Sequence, residues 1–221
     1  MLDPTFHITA PRLHLSYLDP SNDAHMAFIV HLYNSPEMLA VAAQTGAMPK
    51  KPQTVSGARA ALEPSVSRLA TTGIGRYIIS LRDPSVPFTE ATEREYIGTA
   101  SMQLNRFPSI SGPTIPDVGF MLLAKYYGKG YASEACETLM QYFRETKGQE
   151  RFAGFTHPEN VQSQKLFVRL GFESKGTMDV GGIVGDGSPL GVAVWVKGVS
   201  PATQLGELGI GPREDGEVEE H

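Results

Sequence analysis

Apolar and polar positions change period several times along this chain, and each change marks an element. From Arg12 the residues alternate as far as Leu18, which predicts a strand over residues 7–18 after a loose lead. Asp19, Pro20 and Ser21 turn the chain, and Ala24, Phe28, Val30 and Leu32 recur at helical spacing, predicting a short helix over 24–33 that Pro36 stops. Gly46, Pro49 and Pro52 make 40–52 a loop, and a second helix is predicted over 53–70 with a break before Pro64. Residues 76–82 and 95–104 then read as two strands of a hairpin with a long polar connection.

After a Pro/Ser/Gly-rich link over 108–116, the run DVGFMLL (117–123) reads as a buried strand that passes directly into KYYGKGYASEA. Over 131–147, Ala132, Ala135, Cys136, Leu139, Met140 and Phe143 step by three and four, giving one apolar stripe on a helix ended by Gly148. Residues 151–156 are a short strand, and Asn160 caps a helix that turns Val161, Leu166, Phe167 and Leu170 inward before Gly171 stops it. Residues 172–175 and 192–197 close the sheet around a glycine-rich excursion, 181–191, read either as a lid or as a plain hairpin loop. Beyond Val199 no aromatic remains, so a single domain is expected over 1–198 and a disordered acidic tail from 199 to 221.

Composition agrees with a packed α/β domain: 221 residues, 41% hydrophobic and 19% charged, enough for a proper core. The formal charge of −5 sits in the last segment, where Glu207, Glu214, Asp215, Glu217, Glu219 and Glu220 face Arg213 alone. The remaining body is neutral and lacks the basic face that nucleic-acid wrapping requires. No run approaches the ~18 apolar residues of a membrane span, and no apolar segment follows the first basic residue, so a soluble cytoplasmic protein is expected. The lone Cys136 makes no internal disulfide and lies on the apolar stripe, which reads as core, as does Trp195. No Cys/His cluster has zinc spacing, and no metal is expected.

The chemistry concentrates where the strand 117–123 meets the helix 131–147. Gly128, Lys129 and Gly130 deliver the chain to a first helical turn whose unpaired N–H groups and dipole favour an anion. Lys125 or Lys129 adds charge, and a phosphate or pyrophosphate is the natural guest, although two glycines also suit a tight turn and nothing more. Ser133 stands where a dinucleotide fingerprint needs its third glycine, and no Gly-Lys-Ser/Thr triplet exists for a P-loop.

Taken in order, DVGFMLL, YYGKGYASEA, THPEN and NVQSQKLFVRLGF resemble the GNAT superfamily of acyl-CoA N-acyltransferases, and within it the ribosomal-protein N-acetyltransferase-like (RimJ/RimL-type) branch. The resemblance implies a mixed, mostly antiparallel sheet of about six or seven strands with one splayed parallel pair, flanked by helices. It implies acetyl-CoA as co-substrate, its pyrophosphate wrapped by Gly128, Lys129, Gly130, Tyr131 and Ala132, with Lys125 where the family pattern has Gln or Arg. The pantetheine arm would add to the backbone edge of Met121, Leu122 and Leu123, and Asn160 and Ser163 would contact the cofactor.

For direct transfer, Asp117 stands where relatives carry Glu and His157 has a suitable imidazole; these are the candidate bases, with Ser163 a further candidate. Phe167 occupies the place where many members put a Tyr as general acid; Ser163, Tyr126 or Tyr127 would replace it, or the thiolate leaves unassisted. The expected reaction is N-acetylation of a primary amine, on a small molecule or a peptide N-terminus, by a protein for which a homodimer is admitted. Two other readings stand beside it: a non-catalytic acyl-CoA-binding or regulatory module on the same fold, and a nucleotide-phosphate enzyme using the same turn.

Overall fold

The computed structural model describes residues 1–45, 53–107 and 109–211. Its strands are β1 (His7–Thr9), β2 (Leu13–Tyr17), β3 (Gly75–Leu81), β4 (Tyr96–Gln103), β5 (Asp117–Leu122), β6 (Phe152–Thr156), β7 (Glu173–Val180) and β8 (Leu190–Lys197). The helices are α1 (Asp23–Tyr33), α2 (Pro36–Thr45), α3 (Val55–Leu62), α4 (Val66–Thr72), α5 (Tyr131–Lys147) and α6 (Val161–Arg169). The sheet is mixed and open, in the order β1-β2-β3-β4-β5-β6-β8-β7, with β5 and β6 parallel.

Eight strands replace the expected six or seven, in part because 7–18 is a hairpin. His7 lies opposite Ser16, and Pro11, which has no N–H to donate, sits in the turn where the Ala10 N–H bonds the Leu13 carbonyl at 2.9 Å. Pro36 does end α1, but it also opens α2, a position that suits its fixed φ and missing donor; the loop expected over 40–52 is therefore helical up to Thr45, and 46–52 lies outside the described residues. Pro64 likewise breaks the helix expected over 53–70, with a 3-10 turn at Glu63–Ser65 between α3 and α4.

The described chain forms two compact units, residues 1–103 with 118–149, and residues 104–117 with those from 150 onward. In the first unit α5 packs on β1, β2 and β4. Leu13, Leu15, Ile79 and Ile97 are buried there, and of the predicted stripe Ala135, Cys136, Leu139, Met140 and Phe143 are buried while Ala132 is half-buried. Tyr77 is fully buried and donates its hydroxyl to the Gly73 carbonyl at 2.6 Å, the partner a sealed phenol needs.

The second unit is built on β6, β8 and β7 with α6. Its core joins Ile115, Val180, Ile183, Val194, Leu208 and Ile210. The expected disordered tail is thus corrected over 199–211. Leu208 and Ile210 are 3% and 1% exposed, and the Thr114 N–H donates to the Leu208 carbonyl at 2.9 Å. Two apolar residues suffice to anchor so short a segment against an existing core, whereas 212–221 lies outside the described residues.

In the excursion 181–191, Gly182 at φ +74° runs so close to Ser111 that an added Cβ would stand 2.3 Å from its carbonyl oxygen. With Ile183 buried beside it, that stretch is pinned into the second unit's core, as a plain loop would be. The expected inward Val161 is in fact 53% exposed. It precedes Leu166 by five positions, off the three-and-four spacing that keeps helix residues on one face.

Candidate active site

The junction after β5 runs through a 3-10 turn at Ala124–Tyr126 into Tyr127, Gly128, Lys129 and Gly130, all exposed. Gly128 and Gly130 have φ of +72° and +81°, a left-handed backbone that glycine adopts without strain. Gly130 is the N-cap of α5 and no side chain caps the helix, so the 17-residue helix presents the positive end of its dipole without a protein anion bonded to it. That arrangement is built to receive an anion.

Charged side chains surround the turn. Lys125 pairs with Glu95 at 3.6 Å, and the Tyr126 hydroxyl donates to the same carboxylate, so both hold the Glu95 carboxyl below its ordinary range, the Tyr126 bond more than the Lys125 charge. The Lys129 ammonium lies 5.5 Å from the Tyr126 ring centroid. Arg12, from the turn before β2, donates through Nε to Glu134 at 2.7 Å and through Nη1 to the Lys129 carbonyl at 3.0 Å. Next to this turn a cleft of about 570 Å³ is lined by Val30, His31, Asn34, Glu37, Leu123 and Lys125 among others.

The backbone of β5 narrows one expectation. The Leu123 N–H already donates to the Ile97 carbonyl at 3.0 Å, and the Met121 carbonyl faces β4, 2.2 Å from where a Cβ on Gly98 would stand. Backbone groups alternate between the two edges of a strand. Of Met121, Leu122 and Leu123, the residue whose backbone turns to the other edge is therefore Leu122.

Within the second unit, Asp117 is 5% exposed and bonds the Arg106 guanidinium at 2.5 Å. Burial raises its pKa and Arg106 opposes that shift. In its only registered position with β6, Asp117 lies opposite Ala153. His157 Nδ1 accepts from the Glu159 N–H at 3.3 Å, which puts the proton of the neutral ring on Nε2. Asn160 Oδ1 accepts from the Ser163 N–H at 3.0 Å, the predicted N-cap, and the Ser163 side chain is half-buried. Phe167 is 1% exposed, stacks on Trp195 at 5.9 Å, and fills the space a side chain at Gly154 would need, 2.3 Å from its added Cβ. In the first unit, burial pushes the Cys136 thiol up to about 12, in keeping with a core residue.

The chain is similar to known proteins. The family model described as an acetyltransferase (GNAT) domain matches residues 12–173. The chain belongs to the GNAT acetyltransferase family. YnaD of Bacillus subtilis (strain 168), named an uncharacterized N-acetyltransferase, is 28% identical over 60 residues, 27% of this chain and 35% of that protein, so the match spans about a third of the relative's length.

Solved structures resemble most of it in fold. The microcin C7 self-immunity acetyltransferase MccE, in complex with acetyl-CoA and AMP, is similar with a TM-score of 0.66 at 17% identity, covering 90% of this chain and 98% of that one. The ribosomal-protein alpha-N acetyltransferase RimL, in complex with coenzyme A, gives 0.64 at 18% over 87% and 97%. An acetyltransferase structure from Vibrio cholerae gives 0.61 at 17% over 89% and 98%.

Gly128, Lys129 and Gly130 lie at the start of α5, with Lys125 in the 3-10 turn before them. Sequence reasoning missed Arg12, Glu95 and Arg106. Arg12 meets Glu134 across 122 positions, so no local spacing signalled it. Among the described residues no helix is long and apolar enough to cross a membrane, and no group of three His, Cys, Asp or Glu is placed to hold a metal ion.

Proposed function

We propose that this GNAT domain transfers the acetyl group of acetyl-CoA to a primary amine, of a small molecule or a peptide N-terminus, by direct attack on the thioester. The observation that carries the reading is the start of α5, with left-handed glycines at 128 and 130 and no side-chain cap. Gly128, Lys129, Gly130, Tyr131 and Ala132 hold the pyrophosphate, and Lys125 exchanges Glu95 for a phosphate oxygen. Leu122 offers backbone groups to the pantetheine arm as an added strand would, and Asn160 and Ser163 are the further cofactor contacts. The cytoplasm is the proposed setting, since the single cysteine needs no oxidising compartment.

Holding amine and thioester together supplies most of the acceleration, and a base completes it. His157 is the proposed base through Nδ1, which exchanges its long bond from the Glu159 N–H for a water that brings the amine proton. Asp117 is bonded to Arg106, and its proposed part is to keep the opening of β5 in shape. The buried Phe167 has no proton to give, so the thiolate leaves unassisted.

Calorimetric titration of acetyl-CoA, NAD and ATP tests the cofactor, and free-thiol release with a panel of amines tests the transfer. Micromolar acetyl-CoA binding with amine-dependent thiol release supports the enzyme; binding without release with any amine favours the non-catalytic module, for which Phe167 speaks. Preference for NAD or ATP refutes both.

A further inference from the structure

We infer that Arg12 is a positioning residue for the phosphate-binding turn, holding the first turn of α5 in the shape that receives the pyrophosphate; the inference rests on the acetyl-CoA reading above. Four contacts converge on it. Its backbone N–H and its Nε donate to the two oxygens of Glu134, each at 2.7 Å, and Nη1 donates to the Lys129 carbonyl at 3.0 Å. The guanidinium carbon lies 4.5 Å from the centroid of the Tyr131 ring. Nη2 stands 3.4 Å from where a Cβ on Gly130 would be. Arg12 thus touches residues on both sides of Gly130, although it comes from the hairpin turn between β1 and β2.

Two physical consequences follow from these contacts. The carbonyl of Lys129 and the N–H of Gly130 share one planar trans peptide, in which they point in opposite directions. Holding the oxygen on Arg12 therefore aims the Gly130 N–H the other way and keeps a partial negative charge from facing an incoming phosphate. Glu134, in the first turn of the same helix, would also repel a phosphate, and its carboxylate is instead held and neutralised by Arg12. Both effects need a planar fork with donors at fixed angles, which an ammonium does not offer.

The test compares the full-length protein with its Arg12→Lys and Arg12→Gln variants. Acetyl-CoA Kd is read by calorimetry, KM and kcat with an accepted amine, and Tm by scanning calorimetry. The expected result is a Kd and KM for acetyl-CoA raised about tenfold or more in both variants, with kcat at saturation within about twofold of wild type. Arg12→Lys binding like wild type overturns the inference, because charge alone would then suffice. A kcat and Tm that collapse together with Kd also overturn it, in favour of general support of the fold. Should the Arg12 variants fail to fold, Glu134→Asp decides: it keeps the negative charge but draws the carboxylate one methylene back from Arg12, so acetyl-CoA Kd should rise, and an unchanged Kd there refutes the positioning role. Failure of the wild type to bind acetyl-CoA is a different result and refutes the cofactor reading itself.

Discussion

Helices α5 and α6 both follow a strand and a short turn, yet their first turns are finished in opposite ways. At α6 the Asn160 side chain accepts the Ser163 N–H at 3.0 Å, so the helix satisfies part of its own positive end. At α5 the N-cap is Gly130 in a left-handed conformation, no side chain caps it, and the carboxylate of the first turn, Glu134, is held by Arg12. A self-capped start is a stability device, whereas a start capped by glycine and cleared of anions leaves its donors for a ligand. The surroundings follow suit: α6 presses Phe167 onto Trp195 and the Gly154 backbone, while the turn before α5 is exposed.

If α6 is built for packing, its largest response is to a cavity. Phe167→Ala is expected to cost about 3–5 kcal/mol of stability, read as a lowered urea midpoint, and the change to Phe167→Tyr should not restore a missing acid at such a buried place. Thiol-release rates that rise in Phe167→Tyr would show that the side chain reaches the reaction after all. The first unit should instead respond to acid. Burial, more than the neighbouring charges, pushes both His14 and His25 down to about 4 from 6.5. Each is neutral in the folded state while the unfolded chain takes up a proton, so their stabilisation is present above pH 6.5 and is lost as pH falls toward 4. The slope approaches about 1.4 kcal/mol per pH unit for each histidine. Urea unfolding at pH 7 and pH 5 checks this, with a His25→Asn variant expected to flatten the difference.

At α5 the response should be in ligand affinity. Gly130→Val is expected to weaken acetyl-CoA binding at least about tenfold, roughly 1.4 kcal/mol, by straining a φ of +81° and crowding Arg12. Calorimetry that finds the affinity unchanged would make the glycine turn merely structural and erase the contrast. Asn160→Ala should cost about 1 kcal/mol of stability through the lost cap. Urea unfolding measures that, and a loss of acetyl-CoA affinity on top of it would reveal the second role proposed for Asn160. The smallest effect is expected from Glu95→Gln, which releases Lys125 from a solvent-exposed pair. A modest gain in acetyl-CoA affinity is the expected calorimetric result.

Features carried by neighbouring residues were readable in advance. The stripe of α5 was set by steps of three and four, its bounds Tyr131–Lys147 matched, and the caps at Asn160 and Gly148 sat where local chemistry required them. Val161 is exposed because it stands five positions before Leu166, off the face that the buried residues of α6 share. The segment 199–211 went wrong for another reason: its few apolar residues gain nothing from each other and are buried only because Ile115, Val180 and Ile183 wait in the second unit's core.

What the amino-acid order determined by itself was therefore the local part of this protein: strands and helices, the glycine turn at 128–130, and through the order of its motifs the family. Periodicity, capping and left-handed glycine are short-range effects, acting within a few residues of chain. What only the tertiary structure decided was which charges meet. Arg12 reaches Glu134, Glu95 reaches Lys125 and Arg106 reaches Asp117 through folding of the chain, with Leu123 turned to Ile97 by the alternation of a paired strand. Ion pairs and strand edges depend on distances in space, which the spacing of residues along the chain does not encode.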